Sequence, residues 1–467
     1  MRLLKALNNI KDEQLISFHM PGHKNGRFLF KGAEPLLAYD ITEIPEADHL
    51  HDAHGCISET EQTLATLYGA HRSRLLVGGS TVGILSMILG TTQPGDKILL
   101  NRNAHKSVYN AIEMNGLIPV YLFPEMDDYL GIPTDLRIND LNFEQDVKIC
   151  VLTYPTYEGL CYSIKDIIDK CHAFNIPVLV DEAHGAHLFL HENGPKSSLD
   201  LGADLVVQSF HKTLPAMTQT AGLHFSKQSI LTEFQLSRVD WYLKSLQSSS
   251  PSYLLMASVD SMIDVICDVG MIRSQALALQ ILSLYETIEA LQCIGTHRFD
   301  AMDITKVILT IRKDYYKPGI SDGYTISNKL RVDYGIQSEY DSKTMVLLMT
   351  SFCNEASDFE ALKVALMGLD RHIMNEVSDC SALEVESVNY KTIYDAIASN
   401  ETYRMRAYDA VQLPSTTVSI DDCIGEISAE YIIPYPPGIP ILVPGERIHM
   451  ATLKLFKAEK TNINVLK

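Results

Sequence analysis

The chain has 467 residues, enough for about three domains, and its 46% hydrophobic and 21% charged residues exclude a disordered protein. Its 39 Lys and Arg against 58 Asp and Glu give a net charge of −19, which excludes broad neutralisation of nucleic-acid phosphates and is compatible with a cationic small molecule. Nine cysteines without a C-x-x-C spacing, no leader-like N-terminus and no run of about 18 apolar residues predict a cytoplasmic protein with reduced thiols and no membrane span.

In chain order, residues 1–60 are rich in His, Pro and Gly and read as an extended arm around a short helix. Between residues 61 and 270, short apolar β-branched runs alternate with amphipathic stretches. The runs are RLLVG (74–78), KILLN (97–101), IPVYLF (118–123), VKICVLTYP (147–155), IPVLVDE (176–182) and ADLVVQSF (203–210). Runs apolar on both parities suit strands covered on both faces, so the region is predicted to be an α/β domain with a mostly parallel sheet. Residues 271–375 are predicted as a smaller α+β domain, with 271–295 helical. Residues 376–467 form a last unit whose proline-dense run, AEYIIPYPPGIPILVPGERI, forbids both a central strand and a long helix.

Chemistry-bearing residues recur where the strands end. Lys212 follows ADLVVQSF and is a candidate imine-forming amine, although a lysine after a strand is more often solvent-exposed. Asp181 ends IPVLVD, where a carboxylate can hold a pyridinium nitrogen protonated; an N-cap is the plainer reading. The DEAH string at 181–184 has no upstream phosphate-binding G-x-x-x-x-G-K-[ST], which removes a helicase. Gly78-Gly79-Ser80-Thr81 joins a strand to a helix start and can cradle one phosphate. His105 follows KILLN and can stack on an aromatic ring, while Tyr154-Pro155-Thr156-Tyr157 offers a hydroxyl to a ring oxygen. A phosphate cup, a stacking ring, a carboxylate and a lysine at successive strand ends are together what pyridoxal 5′-phosphate requires. The histidines His49, His51, His54, His184 and His187 lack the carboxylate or thiolate spacing of a metal site, so no metal is expected.

The same segments resemble the Orn/Lys/Arg decarboxylase family of fold-type-I pyridoxal-phosphate enzymes. The resemblance rests on 18–26 (FHMPGHKNG), 40–45 (DITEIP), 103–107 (NAHKS), 180–185 (VDEAHG), 209–215 (SFHKTLP), 250–253 (SPSY), 434–438 (PYPPG) and 444–446 (PGE). It implies an aspartate-aminotransferase-like large domain at 61–270 and a C-terminal decarboxylase domain at 376–467. It makes Lys212 the Schiff-base lysine and Asp181 the partner of the pyridine nitrogen. His105 stacks on the ring and His184 lies along the other face or edge. Ser80, Thr81, Ser209 and His211 hold the phosphate, and Ser249 is placed on the phosphate of a partner subunit in a homodimer or higher assembly. The implied reaction is decarboxylation of arginine, lysine or ornithine in polyamine metabolism, with Glu446 or Glu430 as guesses for the distal carboxylate. The family's longer members carry a receiver-like N-terminal domain, which is expected to be absent. The segment 46–54 (EADHLHDAH) departs from the family pattern and bears on closure of the site. An aminotransferase, for which Arg312 and Arg331 are the arginines to inspect, and a catalytically silent regulator are the alternatives.

Overall fold

The apolar runs of the first half pair into one sheet in the computed structural model. It describes residues 2–12, 37–137, 146–286, 288–295, 298–299, 301–377, 394–395, 397, 405–435, 437–455 and 460–467. The strands of this half are β1 (Arg72–Leu76), β2 (Lys97–Asn101), β3 (Ile118–Leu122), β4 (Pro124–Asp127), β5 (Ile132–Leu136), β6 (Val147–Thr153), β7 (Val178–Asp181), β8 (Leu205–Ser209) and β9 (Ala221–Phe225). Seven of them form a sheet in the order β1-β9-β8-β7-β6-β2-β3, while β4 and β5 make a separate hairpin. The β8-β7-β6-β2-β3 pairings are parallel, and only β9 runs antiparallel to its neighbours β1 and β8.

Strands β7 and β8 are buried at every position because both faces of the sheet are covered. Side-chain alternation divides them between two cores: Leu179, Leu205 and Val207 on one face, Val178, Val180 and Val206 on the other. The helix Gly79–Thr91 is buried from Val82 to Thr91, so its apolar residues run all round it, and it docks between the sheet and the helix Glu233–Leu246.

The sequence reading missed β9, whose AGLHF lacks a β-branched residue, and also the β4–β5 hairpin. It also ran one helix too far. The helix Met271–Leu282 is followed by a short 3-10 turn and by β10 (Leu291–Ile294). That strand pairs with β11 (Lys306–Ile311), which pairs in turn with β13 (Met345–Met349) and, through it, β12 (Tyr340–Asp341). Pairing with a distant strand decides the state of residues 291–294, and local periodicity does not carry that information. The helix Ala356–Val377 packs on this antiparallel sheet through Phe359, Leu362, Leu366 and Leu369.

Near the C-terminus β14 (Ser415–Ser419) pairs antiparallel with β15 (Asn462–Leu466) over a small core that includes Ile432, Leu442 and Ile448. The proline-dense run makes only isolated bridges, such as Ile432 with Leu442, as its missing N–H groups require. At the other end, the helix Leu3–Asp12 is held by Asp260, which accepts from Arg2 Nε at 2.8 Å and Leu4 N at 3.0 Å. Asp48 in the atypical 46–54 segment is a local organiser. Its carboxylate accepts the backbone N–H groups of His49, His54, Gly55 and Ile57, and its carbonyl accepts Tyr253 Oη at 2.6 Å. The motif at 18–26 lies outside the described residues.

Candidate active site

Parallel strands that point one way bring their C-terminal ends to one edge of the sheet, and a cavity of about 300 Å³ opens there. The turn after β1 places Gly79 at φ +75°, a conformation a side chain would strain, and hands its N–H to Gln219 O at 2.9 Å. Ser80 lines the cavity from the start of the following helix, whereas Thr81 is exposed and does not. After β2, His105 caps the helix Lys106–Met114, its Nδ1 2.8 Å from Ser107 Oγ. Burial, with Lys212 and Lys106 nearby, pushes His105 down to about 4, which leaves a flat neutral ring against the cavity.

Strand β6 delivers Thr153, Pro155, Thr156, Tyr157 and Glu158 to the same wall. Asp181 is the last residue of β7, and its Oδ1 accepts Ala183 N at 3.1 Å. Burial raises the Asp181 carboxyl, opposed by the Lys212 ammonium and the Ala183 N–H. After β8 one helical turn, Phe210–Thr213, presents His211 and Lys212. His211 Nδ1 donates to Thr220 O at 2.8 Å, which leaves Nε2 as the acceptor in the neutral ring. Lys212 lies with Nζ 2.8 Å from His184 Nε2, and its ammonium is lowered by burial against the pull of Asp181 and Glu339.

Ser80, His105, Thr156, Asp181, His184, His211 and Lys212 therefore share one cavity. Ser209 is buried beneath it with Oγ unpartnered, and Ser249 is exposed outside it. Glu446 and Glu430 do not reach it. Glu446 is buried against Arg102, and Glu430 is paired with Lys460 at 3.1 Å. Arg312 and Arg331 are likewise elsewhere, and none of the described residues lining the cavity is an arginine. The carboxylates that line it besides Asp181 are Glu158 and Glu339, neither singled out in the sequence. Glu158 directly follows the Tyr154–Tyr157 stretch that the sequence places after this strand, so the same reasoning reaches it. Glu339 comes from the smaller domain, and nothing local in the sequence marks it.

Residues 2–291 match the Orn/Lys/Arg decarboxylase major domain and residues 388–465 match its C-terminal domain. The chain is 38% identical over 467 residues to the uncharacterized protein YaaO of Bacillus subtilis (strain 168), covering 96% of this chain and 91% of that protein. It is 32% identical over 459 residues to an arginine decarboxylase of Halalkalibacterium halodurans, with 95% and 90% covered. Among solved structures, the constitutive lysine decarboxylase of E. coli shares the fold at a TM-score of 0.80 and 19% identity, over 100% of this chain and 82% of that one. Fold and cavity thus define a fold-type-I pyridoxal-phosphate-dependent amino-acid decarboxylase. The chain belongs to the Orn/Lys/Arg decarboxylase family.

The residues present fit that cofactor. Ser209 Oγ and Thr213 Oγ1 are buried hydroxyls without a partner beside the lysine turn, the kind of orphaned donor that a bound phosphate satisfies. Asp181 lies along the same strand ends, at the tip of the neighbouring β7.

Proposed function

We propose that the chain decarboxylates arginine, with lysine and ornithine as competing substrates, and so feeds an amine into polyamine metabolism. The observation that carries the substrate class is the pair Glu158 and Glu339 in a cavity whose described lining holds no arginine. Two carboxylates suit a forked guanidinium, and the lack of an arginine clamp leaves the α-carboxylate free to depart. Relatives at 30–32% identity over nearly the whole chain carry the name arginine decarboxylase, which supports the same choice.

When bound, pyridoxal phosphate supplies a protonated pyridine ring that takes up the electrons left as CO₂ departs. In this reading Lys212 Nζ holds the cofactor, and Asp181 keeps a proton on its ring nitrogen. His105 would stack on the cofactor ring and Thr156 would offer its hydroxyl to the ring oxygen. Ser80, Ser209 and His211 would hold the phosphate, joined by Ser249 of the partner subunit in a cytoplasmic homodimer, whereas Thr81, exposed outside the cavity, would not. His184 Nε2, 2.8 Å from Lys212 Nζ, is within reach to exchange a proton with that lysine. Tyr157 donates to Glu339 Oε1 at 2.5 Å and so aims that carboxylate for the distal cation. The apolar part of the lining, Pro133, Pro155, Met349 and Ile439, keeps water from the substrate carboxylate, which favours its loss.

The test compares kcat/KM for arginine, lysine, ornithine and uncharged norleucine, with Glu339→Gln and Glu158→Gln alongside. Arginine should be preferred, and each variant should raise its KM roughly tenfold, the loss of about 1.4 kcal/mol of binding, with kcat changed less. Equal turnover of norleucine, or KM values unmoved in both variants, would sink the assignment.

A further inference from the structure

The proline-dense run reaches the cavity through one glycine. Gly438 stands at φ +83°, and a Cβ placed on it would lie 3.1 Å from both Cδ2 and Nε2 of His105. That is tighter than ordinary van der Waals contact, so a side chain there has to move the ring by a few tenths of an ångström. The two segments are also tied together: Lys106 N donates to Gly438 O at 2.9 Å, and Gly438 N donates to Pro434 O at 2.9 Å to close the turn. Beyond the turn, Arg102 holds the run through Pro440 O and Ile441 O.

The other edge of the ring is fixed by its own helix. His105 Nδ1 lies 2.8 Å from Ser107 Oγ and accepts Ser107 N at 3.3 Å. A backbone N–H only donates, so a flipped ring, with Cδ2 in that place, would leave it without an acceptor. Held at Nδ1 by the helix start and met at Cδ2 and Nε2 by the glycine, the ring has neither edge free to turn. Pro437 and Ile439, on either side of Gly438, line the same cavity. The ring thus belongs to the large domain, while the surface it leans on belongs to the C-terminal unit.

We infer that Gly438 is a positioning residue: it is the seat that sets how the His105 ring meets pyridoxal phosphate, and it makes the C-terminal unit part of the cofactor site. Stacked rings gain from close contact over a whole face, and a gap of about 0.5–1 Å forfeits about a quarter to a half of each contact's attraction. Glycine keeps the turn close enough to support the ring without pushing it. The inference rests on reading His105 as the ring that stacks on the cofactor, and not on the choice of substrate.

The test titrates pyridoxal phosphate into the full-length chain freed of cofactor and reads its dissociation constant, with the visible circular dichroism of the loaded protein alongside. His105→Ala should raise the constant about tenfold, the loss of one aromatic stack. Gly438→Asn, a residue that tolerates positive φ, should raise it about fivefold and weaken the visible band. Gly425→Asn controls for backbone strain, since Gly425 at φ +88° has only Arg447 Nη1 within reach, at 3.9 Å, and it should leave both readouts unchanged. In the His105→Ala background Gly438→Asn should add less than about twofold, because the ring it displaces is gone. Lys106→Pro serves if Gly438→Asn does not fold. Proline suits the first helical position and removes the N–H given to Gly438 O, while Lys106→Gln keeps that N–H and controls for the lost ammonium. Lys106→Pro should likewise weaken cofactor binding only while His105 is present. Fully additive losses, or an effect of Gly438→Asn no larger than that of Gly425→Asn, overturn the inference and leave the stacking reading intact. An unchanged constant in His105→Ala overturns both.

Discussion

Asp181 shows how a single position acquires its chemistry. It is 3% exposed at the tip of β7, and burial raises its carboxyl against the opposing pull of Lys212 and the Ala183 N–H. A cationic ring nitrogen brought beside it would restore the charge, and the carboxylate would in turn hold that nitrogen protonated. Asp181→Asn should therefore lower kcat by about 10²–10³-fold with little loss of fold, as removal of one preorganised charge does elsewhere. Steady-state rates together with the melting temperature check this, and a variant with near-normal kcat would contradict the role. Residues of this kind were legible in the sequence because a strand's last residue carries its place at the sheet edge with it. Glu339 was not, because it reaches the site from the smaller domain and only tertiary packing brings it there.

At the scale of elements, the join between β7 and β8 depends on Glu182. Its carboxylate takes hydrogen bonds from Ser197 Oγ, Ser198 N and Gln208 Nε2, which ties the loop after β7 to strand β8. Burial pushes this carboxyl up to about 7 against the opposing effect of those donors. A folded-state value above the usual 4.5 means the native state binds the proton more tightly than the unfolded chain. Its contribution to stability is thus complete below about pH 4.5 and is lost as pH rises through about 7. Glu182→Gln is permanently neutral, so its melting temperature should gain on wild type as pH rises from 4.5 to 7.5. Parallel melting curves across that range would refute the argument. The parallel strands were legible because each is apolar on both parities. Strand β9 was not, since its Ala, Gly and His carry no strand signal and its place between β1 and β8 comes from pairing alone.

Across the whole molecule, the C-terminal segment is locked to the large sheet by one buried arginine. Arg102, just past β2, donates to Pro440 O at 2.6 Å, Ile441 O at 3.0 Å and Glu446 Oε2 at 3.3 Å. Glu446 also accepts Val443 N at 3.0 Å, so it organises the proline-dense run from within. The same docking hands Gly438 O to Lys106 N at 2.9 Å and brings Tyr435 and Pro437 to the cavity. Glu446→Ala leaves the guanidinium buried without its counter-charge and should cost about 3–5 kcal/mol. Limited proteolysis should then cut within 405–467 sooner than in wild type, and an unchanged cleavage pattern would contradict the lock. The sequence showed that this run is neither long helix nor central strand. It could not show that Glu446 faces Arg102 and not a substrate, since both roles ask for a carboxylate near a cation.

The central claim is that Lys212 and its cavity remove CO₂ from a basic amino acid, and product analysis tests it most directly. The purified full-length protein with added pyridoxal phosphate is given an equimolar mixture of arginine, lysine and ornithine, with Lys212→Ala as control, and the products are read by mass spectrometry. The account predicts agmatine ahead of cadaverine and putrescine, and none of them from the variant. Keto acids in place of amines, or no product from the intact protein, would contradict it.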